Sequence, residues 1–272
     1  MTNQEKFDEL LAKVAEDYGK LNAKQQEFAI KEIDRIRLEI TDLLTDYAES
    51  DGTIKKQRLN SLLRELERIE KLVRQTGLAS LETIATQTAT FATTAISGAF
   101  TTVLGAAAIS GPAFDRINKQ TLKYVTKRFG EDGLVLSDRV WNLAGDQRAE
   151  LSKVLRSGIL RGESVNQLVA QVRKVYDNET WKIRRLVITE GNTANRAATA
   201  YNAAESSVVK GVKIHDHPGH ANHTQHKCYT LAHEDRYGWG AGVFKPTDSE
   251  IYSPHPNCTS YLTYVLNDEE VR

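Results

Sequence analysis

Residues 181–214 read WKIRRLVITEGNTANRAATAYNAAESSVVKGVKI, and the texture changes within them. From about Trp181 to Ser207 the stretch reads as one long helix. After it, SVVKGVKI is short and rich in β-branched residues, which suit a pleated strand. Two similar runs follow, GVF at Gly242–Phe244 and SYLTYVL at Ser260–Leu266. The predicted class is therefore α+β: a mostly helical N-terminal and middle part with a small C-terminal β-sheet. The segment between the strands is rich in Gly, Pro, His and Asp, and is expected to be a His/Cys-rich loop.

Upstream, the chain is patterned for helices. Ile33, Ile36, Ile40, Leu43 and Tyr47 step by three and four residues, and so do Leu59, Leu62, Leu66, Ile69 and Val73. Each set draws an apolar stripe along one helix face. Between them ESDGT, with Asp51-Gly52, breaks the helix, so the two stripes predict an antiparallel helical hairpin. Residues 83–114 carry no charge over 32 residues, long enough to span a bilayer. They are mostly Ala, Thr, Gly and Ser, however, and insertion favours Leu, Ile, Phe and Val. One or two tightly packed helices broken near Gly111-Pro112 are expected there, and a membrane role is disfavoured. Charged amphipathic character resumes at Asp115, with Ser164 as the N-cap of a helix starting at Val165. Two parts are expected, residues 1–114 and 115–272. The second should fold alone, and the first should gain order against a partner.

Net charge is zero, from 36 basic and 36 acidic residues, so no global nucleic-acid signal exists. Residues 115–210 nevertheless carry 17 basic and 11 acidic side chains, net +6, compatible with weak non-specific binding of double-stranded DNA. The N-terminal segment is polar and charged rather than a secretory leader, and only two cysteines occur, so reduced thiols are expected.

All seven histidines lie between His215 and His255, and both cysteines, Cys228 and Cys258, fall in that window or beside it. Structural zinc takes four ligands from thiolate and imidazole, and can stabilise small loop-rich modules. His255-Pro256-Asn257-Cys258 sets two ligand types three apart, and Cys228 comes from across the loop. The candidate metal ligands are Cys228, His255, Cys258 and His226, with His223 or His233 as alternatives to His226. The competing reading makes the cysteines small buried hydrophobes and the histidines solvated. Glu234 and Asp235 form no pattern with these residues. No phosphate-binding loop, nucleophile elbow or His-Glu-x-x-His is present, so no catalytic residues are assigned and an enzyme is not expected.

The order of pieces carries a resemblance. SGILRGESVNQLVAQV, ITEGNTANRAATAYNAA, GVK, a Cys-containing loop, GVF and PHPNC before a closing strand are similar to the phage minor head protein family, in its head morphogenesis (Mu F) part. The resemblance covers roughly residues 135–270, and PHPNC, Pro254 to Cys258, is its most specific piece. Three positions depart from the family's habit. Ile188 stands where Arg is common, and Gln225 and Ser260 stand where Cys is common. The resemblance implies a minor capsid protein of the virion, inside the head and in the host cytoplasm during assembly. It implies contact with the portal protein and with the major capsid or scaffolding protein. The alternatives are a zinc-dependent enzyme or toxin-like domain, and a membrane-active protein delivered with the genome.

Overall fold

The computed structural model describes residues 1–105, 111–217 and 222–267. Among them are six α-helices: α1 Asn3–Asp46, α2 Leu59–Leu104, α3 Gly111–Lys127, α4 Leu136–Arg161, α5 Val165–Ala204 and α6 Lys227–His233. Three strands, β1 Val209–His215, β2 Val243–Phe244 and β3 Tyr261–Leu266, form an antiparallel sheet in the order β2-β1-β3. The α+β class and all three strands agree with the sequence reading.

The chain divides into two compact units. One comprises Met1–Gln25, Glu82–Glu131 and Arg185–Arg272, and the other Gln26–Leu81 and Asp132–Arg184. α1, α2 and α5 each contribute residues to both. This division differs from a cut between residues 114 and 115. Its physical reason is that helices of 40 to 46 residues offer apolar faces to different neighbours at their two ends.

The helical unit, 26–81 and 132–184, has the anticipated stripes at its centre. Ile33, Ile36, Ile40, Leu62, Leu66, Ile69 and Val73 are all buried. Leu44, rather than Leu43, completes the first stripe, because a 3.6-residue period carries the buried face to position 44. The pairing is antiparallel: Tyr47 Oη lies 2.8 Å from Ser61 Oγ, and Arg68 Nη1 pairs with Glu39 at 3.1 Å. Gly52, at φ +76°, makes the turn, where Asp51 Oδ1 accepts from the Thr53 amide at 2.9 Å. α4 ends at Gly162, and α5 opens with a capping box. Ser164 N donates to Gln167 Oε1 at 2.8 Å, and Gln167 N donates back to Ser164 Oγ at 3.4 Å. From there α5 runs unbroken to Ala204, whereas the sequence suggested a separate helix starting near Trp181.

The mixed unit, 1–25, 82–131 and 185–272, surrounds the sheet. Phe7, Phe100 and Tyr264 form its aromatic centre, with ring centroids 4.8 to 5.8 Å apart. Two of these three rings precede residue 115. Gln4 also laces α1 to the edge strand, accepting from Leu266 N at 2.8 Å and donating to Tyr264 O at 2.7 Å. A core so composed gives no basis for a fragment starting at Asp115 to fold alone.

The Ala/Thr stretch belongs to this core. Ala85, Ala89, Ala92, Ile96 and Phe100 of α2 are buried, as are Ala194, Ala197, Ala198, Ala200 and Ala203 of α5. Small side chains let such helices approach closely, and the threonines find partners: Asn202 Nδ2 donates to Thr93 Oγ1 at 3.1 Å. Described α2 ends at Leu104, with Gly105 left-handed at φ +71°, and Gly111 and Pro112 open α3. The break thus falls before Gly111-Pro112, and residues 106–110 lie outside the described residues. No helix among the described residues is long and apolar enough to cross a membrane.

Candidate metal centre

Between β1 and β2 the expected loop contains a short helix. His226 precedes α6 in extended conformation, and its carbonyl accepts from Tyr229 N at 3.0 Å. Cys228 therefore sits in the first turn of α6 and is buried. After α6 the chain returns to β2 through Gly242 at φ +78°. A Cβ there would lie 2.9 Å from Ala232 O and 3.0 Å from Ile214 O, so only glycine fits without a shift.

The other half of the site is the turn before β3. Asn257 is left-handed at φ 59°, and its amide donates to Thr189 Oγ1 on α5 at 2.9 Å. One side chain holds the rest. Arg196 of α5 is 1% exposed. Its Nε donates to Tyr252 O at 2.8 Å, and its Nη1 to Ser260 O at 2.7 Å and Cys258 O at 3.2 Å. A second buried cation reaches α5 from the residue after α3: Arg128 pairs with Glu190 at 2.8 Å, with both side chains nearly inaccessible. The sequence reading missed Arg196. The only signal was a charged residue within the Ala-rich run 188–204, where a face that is otherwise small and apolar would bury it.

These two halves bring the candidate ligands together. The ligand atoms of His226, Cys228 and His255 all lie within 4.8 Å of one another. His255 Nε2 is 3.1 Å from Cys228 Sγ, and its Nδ1 donates to Pro256 O at 2.9 Å. That carbonyl fixes the tautomer and leaves Nε2 facing the cluster, the usual second contact of a metal-bound imidazole. The rings of His226 and His255 are 4.7 Å apart. Cys258 is fully buried, with Sγ 3.0 Å from Ser260 Oγ, and its thiol also interacts with Cys228 and His255. The two thiols are free, not joined as a disulfide.

Cys258 is held far below the ordinary thiol range. The Cys228 thiol donates to it, and Arg196, His255 and Ser260 add to the effect against the cost of burial. Cys228 is pushed up correspondingly, chiefly by that same hydrogen bond. Ligand atoms of a tetrahedral zinc site stand about 3.3–3.8 Å apart; here the group spreads over up to 4.8 Å, and the fourth predicted ligand, Cys258, is not part of it.

The remaining histidines are otherwise engaged. His215 Nε2 is 2.8 Å from Thr263 Oγ1, and its ring stacks on Tyr261 at 4.7 Å. His233 Nδ1 donates to Tyr229 O at 2.8 Å, and His223 packs edge-on against the Tyr229 ring at 5.6 Å. Neither alternative to His226 belongs to the ligand group. His220 lies outside the described residues. Of the two positions where the resembled family commonly carries Cys, Ser260 touches the Cys258 thiol, whereas Gln225 is exposed.

Compared with known proteins, the chain matches no family model, no curated protein and no solved structure.

Proposed function

We propose that this chain is a minor head protein of a tailed phage, and that a single structural zinc ion staples its C-terminal module. The observation that carries the reading is the corner built around Pro254–Cys258, the most family-specific piece of sequence. There His255 meets Cys228 and His226, with the Cys258 thiol beside Cys228 and His255, above a turn clamped by Arg196 and Thr189. In this reading His226, Cys228, His255 and Cys258 fill all four zinc positions, so the ion braces the module and leaves no place for substrate. The burial of both thiols argues against a catalytic thiol or an open zinc site. The protein acts in procapsid assembly and formation of DNA-competent heads. It contacts the portal and, within the head, the scaffolding or major capsid protein; during assembly it resides in the host cytoplasm.

Elemental analysis of protein purified without chelator is expected to find about one zinc per chain, and none in the C228S/C258S variant. Metal-free wild type would remove the zinc part of the reading. For the assembly part, the chain co-expressed with the portal protein of its phage should elute with it as one complex in size-exclusion chromatography. Heads assembled without it should fail to fill with DNA. Separate elution together with normally filled heads would overturn that part, whatever the metal result.

A further inference from the structure

Helix α3 has two unlike faces. Ala113, Ile117, Thr121 and Val125, each four residues from the next, are buried. On the opposite side Arg116, Lys119, Gln120, Lys123 and Lys127 are exposed. The ammonium groups of Lys119, Lys123 and Lys127 therefore repeat about every 6 Å along one line, at 1.5 Å per residue. Asp115 is the only acidic residue of this helix. Arg116 is already held by Glu205, its Nε 3.2 Å from the carboxylate. Among the described residues no ion pair engages Lys119, Lys123 or Lys127.

The line of lysines borders a shallow, open depression. A depression of about 490 Å³ is lined by Gln120, Lys123, Tyr124, Lys127, Arg128 and Tyr201. A second, of about 310 Å³, adjoins it, sharing Gln120 and Lys123 and reaching Asp115, Arg116 and Lys119, so one carboxylate stands at the far end of the basic row. The floor is firm, since the rings of Tyr124 and Tyr201 both pack edge-on against Tyr252, at 5.3 and 5.6 Å. Three uncompensated cations in register on a rigid helix, above a depression lined by phenols, make a surface for a linear polyanion. A compact anion would be gathered by converging donors, which this straight row does not provide.

We infer that the exposed face of α3, through Lys119, Lys123 and Lys127, binds the phosphate backbone of duplex DNA without regard to sequence. Duplex DNA is the favoured occupant because it presents one charge per about 1.7 Å of axis, so a straight basic row meets phosphates along its whole length. The inference rests on charge and shape, and does not depend on the head-protein reading or on bound metal.

The test uses the full chain and a fluorescent 30-bp duplex of arbitrary sequence, followed by anisotropy over a salt series. Three phosphate contacts predict that log K falls with log salt at a slope of about −2.7, or about 40-fold between about 50 and 200 mM salt. The K119Q/K123Q/K127Q variant should lose most of the binding and most of the slope. The K13Q/K24Q/K71Q variant makes the same change in net charge at exposed lysines of α1 and α2, and should bind nearly as wild type. Circular dichroism of both variants, expected to match wild type, separates lost contacts from lost fold. The proposal is overturned if wild type does not bind at low salt. It is equally overturned if the two triple variants weaken binding equally, or if the α3 lysines are needed for anionic phosphatidylserine vesicles but not for DNA.

Discussion

In the helical unit the centre is made of large aliphatic side chains. Leu62 and Leu66 are fully buried, and their neighbours on the stripe recur every three or four residues. In the mixed unit, the part of α5 that carries the candidate metal centre is lined by alanines, among which Arg196 and Glu190 are buried whole. The first unit is held mainly by area removed from water, a non-directional force that tolerates many sequences with the same pattern. The second also has an apolar core, around Phe7, Phe100 and Tyr264, but its candidate metal corner adds directed bonds from a few side chains, each of which leaves polar groups stranded if removed. The two regions should therefore respond differently to single substitutions.

The largest effect is expected at Arg196. Arg196→Met keeps an unbranched apolar stem and removes the donors to the carbonyls of Tyr252, Cys258 and Ser260. Urea unfolding should show a loss of about 3–5 kcal/mol, the scale for breaking a buried charged network. Zinc content per chain should fall as well, because the same bonds set the turn that carries His255 and Cys258. A loss below about 1 kcal/mol would erase the contrast between the units.

A smaller loss, about 3 kcal/mol, is expected for Leu66→Ala, which opens a cavity in the helical unit. Its diagnostic feature is what stays constant: zinc per chain should match wild type. If metal is lost along with stability, the two units do not hold their cores independently.

The smallest effect sharpens the same comparison. Ser164→Ala removes one half of the capping box that opens α5, and should cost about 1 kcal/mol with metal content unchanged. An unaltered melting temperature would mean that packing of the apolar face alone sets where α5 begins.

Much of the fold was legible because its determinants are local. The second stripe from Leu59 to Val73 is buried at all five positions, Ser164 caps α5, and β-branched runs mark the three strands. The ligand types of the candidate centre were legible too, since His and Cys cluster in one window. The choice among histidines was less so. His226, His223 and His233 are all within reach by spacing, and α6 decides by turning the latter two towards Tyr229. The unbroken course of α5 was also hidden, because WKIRR at 181–185 resembles a fresh start although no capping residue is used there.

The sequence by itself determined the periodicities, the turns and the kinds of side chain available for chemistry, because each is written within a few residues of chain. Only the tertiary structure decided which distant segments share a core, so that Phe7, Phe100 and Tyr264 meet. It also decided that Arg196 turns its Nε and Nη1 to three carbonyls of a loop some sixty residues later, and that Tyr201 lines the depression beside the α3 lysines. Many partners could satisfy an apolar face or a guanidinium equally well in isolation, and the choice falls to the arrangement that buries the apolar faces and pairs most buried polar groups at once.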